Sequence, residues 1–452
     1  MNDRRQLILN VYVRSSGYHE AAWRLNDDDP AVILDPRHYI RLARTAERGI
    51  LDMIFLPDSP GTASFRTEFI PGGWLDPVEL LSSLATTTEH IGLAATVSTT
   101  YSQPWDVARR LATLDFLSHG RAAWNIVTTA EPAAAYNFGS QPHPDTATRY
   151  RRAEEYVEVA LKLWDAWEDD AAIMDKTTGS WADPTKVHRP DHHGTHFAVA
   201  GDLAIPRSPQ GRPVLLQAGS SPGGVSLAGR FADAVFTPQP AKGAAAELRR
   251  RLSREAVTNG RPADAIKILP GMPFVLGSTE AEARGLRRDL EEWTSTEFRW
   301  RNVANLAGLD YRTIEPGQPL PDELIDAGPR TSFGAAILER ARAERDRGTK
   351  ISFADLSREF SALPGGLDFT GTPEQLADLI GDWFTSGACD GFTLMPHMLP
   401  GQLDAFVDEV VPLLQRKRIA KSSYHGTTLR DHLGLARPAP YEQQRGDSRD
   451  QL

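Results

Sequence analysis

The sequence predicts a (β/α)8 barrel, an α/β fold of the TIM type, from its length and from two repeating patterns. Its 452 residues amount to about three domains of typical size, which is enough for one large enzyme fold. Short apolar runs rich in Val, Ile, Ala and Thr alternate with amphipathic stretches of helical period, as in parallel strands joined by helical crossovers. Eight such units can be counted, whereas an open doubly wound sheet usually has about five to seven strands.

The strands and helices follow in order along the chain. The predicted strands cover residues 7–13, 52–57, 91–100, 121–129, 213–220, 233–238, 266–276 and 391–397. Helices are predicted at 36–49, 76–89, 104–118, 149–167 and 403–414, where apolar residues recur at helical spacing and Pro or Gly marks several of the ends.

Two stretches interrupt this cycle. Residues 176–203, rich in Gly, Asp and His, are predicted to form a loop or hairpin before strand five. Residues from about 295 to 371 are predicted to form an insertion of mixed helix and loop before the last barrel unit, and insertions of this length usually act as lids or pocket walls. The barrel and this insertion then account for residues 1–424 as one domain, and 425–452 is predicted to be an extended or partly disordered C-terminal tail.

Composition excludes several function classes. The 50 Lys and Arg against 60 Asp and Glu give a net charge of -10, which argues against a nucleic-acid binder with a basic face. No apolar run approaches the roughly 18 residues of a membrane span, so no membrane association is expected. Cys389 is the single cysteine, so no disulfide framework is possible, and we expect a cytoplasmic location.

The residues that close the strands are the candidates for a site, because barrel enzymes bind their ligands at the carboxyl ends of the strands. This rule selects one to three residues at each of the first five strands: His19 and Trp23, then Asp58, then Thr96 and Ser98, then Asn125, Thr128 and Thr129, and finally Ser220 and Ser221. Most of them are neutral hydrogen-bonding groups, which suit a polar heterocycle better than hydrolysis by paired carboxylates.

The strongest local pattern is the strand-to-helix turn after strand five. Ser221 is placed as an N-cap and Pro222 as the first helical residue, so free backbone N–H groups and two hydroxyls would form a phosphate cradle without a Lys. An ordinary cap explains the same residues equally well. Tyr150, at the start of a long helix, either adds a phosphate contact or is an interfacial tyrosine.

Other catalytic and metal motifs are weak or absent. His192, His193 and His196 lie in an Asp-His-His-Gly-Thr-His segment, but Gly194 and Pro190 mark a loop without a defined ligand geometry, so no metal is predicted. The Gly-x-Ser-x-Gly, Walker A and Gly-x-Gly-x-x-Gly patterns do not occur.

Several long stretches occur in order along nearly the whole chain: Ala22-Trp-Arg24, Phe55-Leu-Pro-Asp58, Ala95-Thr-Val-Ser-Thr-Thr-Tyr101, Gly120-Arg-Ala-Ala-Trp-Asn-Ile-Val-Thr128, Arg149-Tyr150 with Ala153-Glu-Glu155, Arg207-Ser-Pro-Gln-Gly211 with Gln217-Ala-Gly-Ser-Ser221, and Thr428-Leu-Arg430 with Leu433-Gly-Leu435. Together they resemble the bacterial luciferase-like flavin monooxygenases. Within that family they are most similar to the subgroup of nitrilotriacetate, EDTA, pristinamycin-synthesis and dibenzothiophene-sulfone monooxygenases.

The resemblance implies a two-component monooxygenase. FMN would bind at the strand ends, and a separate NAD(P)H:flavin reductase would deliver it in the reduced form. Reduced FMN and O2 would form a flavin C4a-(hydro)peroxide that inserts one oxygen atom into a small organic substrate, while the protein excludes water. Members of this family suggest a homo-oligomer, a dimer or tetramer, and the substrate itself is not predicted.

The resemblance also assigns residues. Asp58 and Thr96 would lie near the flavin ring or ribityl chain, Asn125 would face the ring, and Tyr150, Ser220 and Ser221 would lie near the phosphate. The family usually has a His four residues before the motif Tyr, where this chain has Thr146, so that contact is either made by a hydroxyl or lost. No catalytic acid or base is assigned, and His19 is the best-placed candidate.

Two other functions stay open from the sequence. One is an F420-dependent oxidoreductase of the same superfamily, which would transfer hydride without O2. The other is a flavin-binding barrel without turnover, which would prefer oxidised FMN and would consume no oxygen.

Overall fold

The eight predicted strands form one closed parallel barrel in the computed structural model, which describes residues 5–14, 16–61, 64–71, 75–139, 142–328, 332–360 and 367–439. The strands are β1 Ile8–Tyr12, β2 Met53–Leu56, β3 Gly92–Ser98, β4 Ala122–Val127, β5 Val214–Ala218, β6 Ala234–Thr237, β7 Lys267–Leu276 and β8 Gly391–Pro396. Each strand pairs in parallel with the next, and β8 pairs back with β1. The predicted barrel is therefore confirmed.

Helices cover the outside of the barrel: α1 Pro36–Arg48, α2 Pro77–Ala85, α3 Pro104–Leu117, α4 Thr146–Trp164, α5 Pro222–Phe231, α6 Lys242–Thr258, α7 Glu280–Trp293 and α8 Pro373–Thr385. A helical segment with a π turn follows β8 and comprises Gly401–Ala405, Phe406–Val410 and Val411–Arg416. Helix α4 begins three residues before its predicted start, because the Asp145 side chain accepts the Thr148 N–H and caps the helix there. Short helices Ala22–Leu25 and Ala134–Asn137 lie in loops.

Small residues inside the barrel leave room for a plug from the C-terminal region. Ala94 and Ala123 face the interior beside Phe55, and the buried side chain of Leu429 packs into the same cluster. Leu429 begins a short helix, Leu429–His432, whose start is closed by a capping box at Thr428.

The prediction of an extended tail is therefore wrong over residues 428–433, because burial of Leu429 and Leu433 holds this segment against the amino ends of the strands. Behind it, Lys421 forms a fully buried ion pair with Asp52. Residues 440–452 of the predicted tail lie outside the described residues.

Both interruptions of the barrel cycle have structure of their own. The predicted stretch 176–203 contains the pairing of His192–His193 with Ala198–Val199, and its first strand, Ser180–Ala182, pairs with Ala172–Asp175 just before it. The insertion contains helices Thr296–Leu306, Asp322–Asp326, Ser332–Asp346 and Phe353–Glu359 packed on one another. Strand Phe369–Gly371 then pairs with the end of β7. Residues 329–331 and 361–366 of the predicted insertion are not among those described. Across the described ranges, no helix is long and apolar enough to cross a membrane.

Candidate active site

A cavity of about 350 Å³ opens at the carboxyl ends of the strands, between the barrel and the insertion. Its barrel side includes Tyr12 and Phe236, whose rings meet Phe55 edge to face at 5.4 and 5.8 Å between centroids. Its outer side includes Phe298, Val303 and Leu306, all from the first helix of the insertion. The insertion thus forms one wall of the cavity, at the end of the barrel where the sequence analysis expects the site.

Thr96 and Asn125 lie side by side on β3 and β4. They are partners in the strand register, and Asn125 Nδ2 donates to Thr96 Oγ1 at 3.0 Å. Asn125 Oδ1 is buried and has no hydrogen-bond partner among the described residues. Asp58 follows β2, and burial raises the pKa of its carboxyl group. This edge of the barrel therefore offers an unused acceptor and a carboxyl group that is more easily protonated than usual.

Tyr150 and Ser221 meet at the start of α5. Ser221 Oγ accepts the Gly224 N–H at 3.2 Å, and the Tyr150 hydroxyl lies 3.2 Å from the same oxygen. Gly223 packs closely under Tyr150, since a Cβ at this position would lie 2.7 Å from the Tyr150 ring and would displace it. Ser220 precedes the cap and is exposed. The two hydroxyls and the amino end of the helix thus converge on one exposed point.

Thr146 is exposed at the first position of α4, and its Oγ1 accepts from Arg149 at 3.2 Å. The same guanidinium lies 3.0 Å from His143 Nε2. Because arginine only donates, Nε2 accepts and the His143 proton is on Nδ1, which lies 2.6 Å from the Tyr101 hydroxyl. Burial and then the charge of Arg149 lower the pKa of His143, so this ring is neutral near pH 7.

His19 lies in the cavity wall, apart from the groups above. Its Nδ1 accepts the Ala21 N–H at 3.2 Å, so Nε2 carries the proton and points to Glu291 Oε1 at 3.8 Å. The pKa of Glu291 is lowered by His19 and then by the charge of Arg287. The structure therefore brings together Thr96 with Asn125 and Tyr150 with Ser221, and it leaves His19 in a different group.

His397 directly follows β8 and was not among the candidate residues of the sequence analysis. Its ring centroid lies 5.4 Å from that of His19, and its Nε2 lies 3.0 Å from Asp368 Oδ1 and 2.9 Å from Arg287. Burial lowers the pKa of His397, against the opposing effect of Asp368. The strand-end rule applied to residue 397 would have found this histidine, whereas Asp368 and Arg287 reach it only through the fold.

The predicted residues fit a phosphate-bearing polar heterocycle. The start of α5, with the hydroxyls of Ser221 and Tyr150 beside it, suits a phosphate, since helix amino ends bind anions through free N–H groups. The partnerless Asn125 Oδ1 and the half-buried Asp58 suit the N–H and C=O groups of a flavin ring.

Within the described ranges, no group of three or more His, Cys, Asp or Glu side chains converges as a metal site would require. His192 instead hydrogen-bonds Glu155 at 3.1 Å.

Known proteins with similar sequences and structures are monooxygenases and flavin enzymes. Residues 15–389 match the family described as "Luciferase-like monooxygenase". The N-acetyl-S-(2-succino)cysteine monooxygenase of Bacillus subtilis is 40% identical over 96% of this chain and 98% of its own. Nitrilotriacetate monooxygenase component A of Aminobacter aminovorans is 38% identical over 97% and 98%.

Among solved structures, riboflavin lyase with modified FMN and riboflavin has a TM-score of 0.84 at 32% identity, covering 95% of this chain and 96% of its own. The residues that match the family, 15–389, include the strands β2 to β7, the cradle at α5 and the insertion that lines the cavity. The chain belongs to the luciferase-like monooxygenase family and is a flavin-dependent monooxygenase.

Proposed function

We propose that this monooxygenase works with reduced FMN supplied by a separate NAD(P)H:flavin reductase and transfers one oxygen atom from O2 to a small organic substrate. The observation that carries the proposal is the convergence of Tyr150 and Ser221 on the amino end of α5, which matches the dianionic phosphate of FMN. The monooxygenase names of the two relatives support this function over an F420-dependent oxidoreductase or a flavin barrel without turnover.

In this proposal two groups of residues hold the cofactor. Ser220, Ser221, Tyr150 and the first N–H groups of α5 bind the phosphate, and Thr146 lies one turn before Tyr150 on α4. Asp58, Thr96 and Asn125 contact the ring or the ribityl chain. Reduced FMN, when bound, supplies the electrons for cleaving O2, so that one oxygen atom enters the substrate and the other leaves as water.

The chain's own residues contribute exclusion of water and control of protons. Phe298 and Leu306 of the insertion form an apolar wall, which keeps bulk water from the reacting groups. His19 presents its Nε2–H toward the cavity, with Glu291 as the carboxylate that stabilises the ring when it is protonated. His19 is thus the proposed proton donor to the reacting oxygen, and His397 is its neighbour in the wall.

The proposed partners follow from the reaction. A supply of reduced FMN requires a reductase, and the name "component A" of one relative is consistent with a second component. We further propose a homo-oligomer, a dimer or tetramer, and a cytoplasmic location, which fits a chain with one buried cysteine. Light scattering after size-exclusion chromatography measures the oligomeric state.

The test separates phosphate binding from ring binding. The purified protein is titrated without oxygen with photoreduced FMN and, separately, with photoreduced riboflavin, which has no phosphate. Ser221→Ala and Tyr150→Phe are expected to weaken FMN binding by about tenfold while riboflavin binding is unchanged, because each removes one hydrogen bond to a charged group. Oxygen uptake is then recorded with a reductase, NADH and FMN. Equal affinity of wild type for both flavins, or oxidation of reduced FMN by O2 at the same rate with and without the protein, would contradict the proposal.

A further inference from the structure

Two arginines face the cavity from the end of β1 and from the loop after β2. Arg14 follows β1, and Arg66 lies in the short 3₁₀ helix Ser64–Glu68. The guanidinium of Arg66 donates to the neutral Asn302 Oδ1 at 2.8 Å, and its buried Nε has no partner among the described residues. Among the residues that the structure describes, no carboxylate forms an ion pair with Arg66 within 4 Å. Arg66 is therefore a half-buried cation that has no ion-pair partner among the described residues.

The other two arginines of the cavity are neutralised. Arg287 lies 2.8 Å from Asp368 and 3.2 Å from Glu291, and Arg299 lies 3.4 Å from Glu291. Glu20 is the remaining carboxylate of the lining. Four arginines against three carboxylates leave one positive charge, and the cation that lacks a direct partner is Arg66.

This arrangement is unfavourable without an anion. Burial and then the positive charge of Arg14 lower the pKa of Arg66, against the opposing effect of Glu20 and Glu131, so the charged form of Arg66 is less favourable here than in water. A cation at the edge of an apolar cavity is stabilised when a carboxylate forms charge-assisted hydrogen bonds with it. Much of the remaining lining is apolar, with Phe236, Met395, Phe298 and Leu306.

We propose that the cavity binds a substrate that carries a carboxylate, with Arg66 as the residue that selects it and the apolar wall as the contact surface for the rest of the molecule. This inference rests on the proposed function, because the bound molecule is taken to be the one that is oxygenated.

The same chemistry could also bind the phosphate of a flavin, and the two sources are separable. Tyr150 and Ser221 do not line this cavity, so the proposed flavin phosphate site and Arg66 lie at distinct places on the barrel mouth. A carboxylate-selecting role predicts that Arg66 affects the binding of substrate and leaves the binding of flavin unchanged.

The experiment uses a thioether with several carboxylates, N-acetyl-S-(2-succino)cysteine, and its fully methyl-esterified form as probes. Calorimetry measures their binding to the full chain, to Arg66→Met and to the control Arg284→Met. Arg284 is exposed on α7 and pairs only with Glu280 among the ion pairs of the described residues. We expect wild type and the control to bind the acid and to bind the ester at least 10-fold more weakly. We expect Arg66→Met to bind the acid about 10- to 100-fold more weakly.

Each outcome decides the proposal. It is overturned if wild type binds acid and ester equally or binds neither, or if Arg66→Met binds the acid as well as the control does. It is also overturned if Arg66→Met loses affinity for FMN instead, because Arg66 would then belong to the flavin phosphate. Oxygen uptake with reduced FMN is recorded on the same wild-type preparation, so that failure of the monooxygenase function is seen separately from failure of carboxylate binding.

Discussion

Gly223→Ala tests whether the contact between Tyr150 and the start of α5 controls flavin binding. Gly223 is the second residue of α5, and an added Cβ would lie 2.7, 3.0 and 3.1 Å from three ring atoms of Tyr150. Carbon atoms prefer a separation of about 3.5–4.0 Å, so the ring must move by about 1 Å. Tyr150 is only half-buried and can move, but its hydroxyl then leaves Ser221 Oγ, now 3.2 Å away.

The expected result is a selective loss of cofactor affinity. Loss of one hydrogen bond to a charged phosphate costs about 1.5–3 kcal/mol, which corresponds to an FMN dissociation constant about 10- to 100-fold higher. The assay is an anaerobic titration with photoreduced FMN, together with thermal unfolding of the protein without flavin.

Gly243→Ala is the matched control. Gly243 is also the second residue of its helix, α6, and its added Cβ would meet nothing within 4 Å. This variant should be unchanged or up to about 1 kcal/mol more stable, because alanine is the better helix former, and it should bind FMN as wild type does. If Gly223→Ala binds FMN as tightly as Gly243→Ala, Tyr150 does not hold the phosphate and the reasoning is refuted.

Two further predictions concern stability at the closed end of the barrel. Lys421→Met leaves Asp52 buried without its counter-ion and should lower the free energy of unfolding by about 3–5 kcal/mol, whereas Lys417→Met breaks only an exposed pair with Asp378 and should cost at most about 1 kcal/mol. Urea midpoints measure both, and equal midpoints would contradict the expected difference. Burial and then the charge of Lys421 lower the pKa of His432 from 6.5 to about 4. Between these values the unfolded chain binds a proton that the folded chain does not, so wild type should lose up to about 3 kcal/mol as pH falls from 6.5 to 4. His432→Gln should lose less over the same range, and identical pH profiles would show that His432 does not titrate in this way.

Most of the barrel could be predicted from local sequence patterns. All eight strands were predicted, and β1 and β8, which pair in the structure, are separated by most of the chain. This worked because apolar runs and helical periodicity are local properties that repeat once per barrel unit. The capped start of α4 at Asp145 was missed by three residues, since a cap competes with periodicity in setting a helix boundary.

The candidate site could be predicted only in part from the sequence. Ser221 and Tyr150 were predicted from their positions at helix starts, and their 3.2 Å contact agrees with that expectation without testing their role. His397 followed the same strand-end rule and was overlooked, and Arg66 lies in a loop that no local pattern marks. The buried contact of Leu429 was also missed, because a Pro-containing polar tail resembles an unstructured one.

The sequence by itself therefore determined the fold class and the order of the strands, because these depend on hydrophobic period and on capping residues near in the chain. It also predicted the end of the barrel at which we expect the chemistry. Only the tertiary structure decided which charges share the cavity. Arg66 meets Asn302, and Arg287 meets Asp368 and His397, across large separations in sequence. Whether an arginine is neutralised or left for a ligand depends on distances between such segments, and those distances exist only once the barrel has closed and the insertion has packed over its mouth.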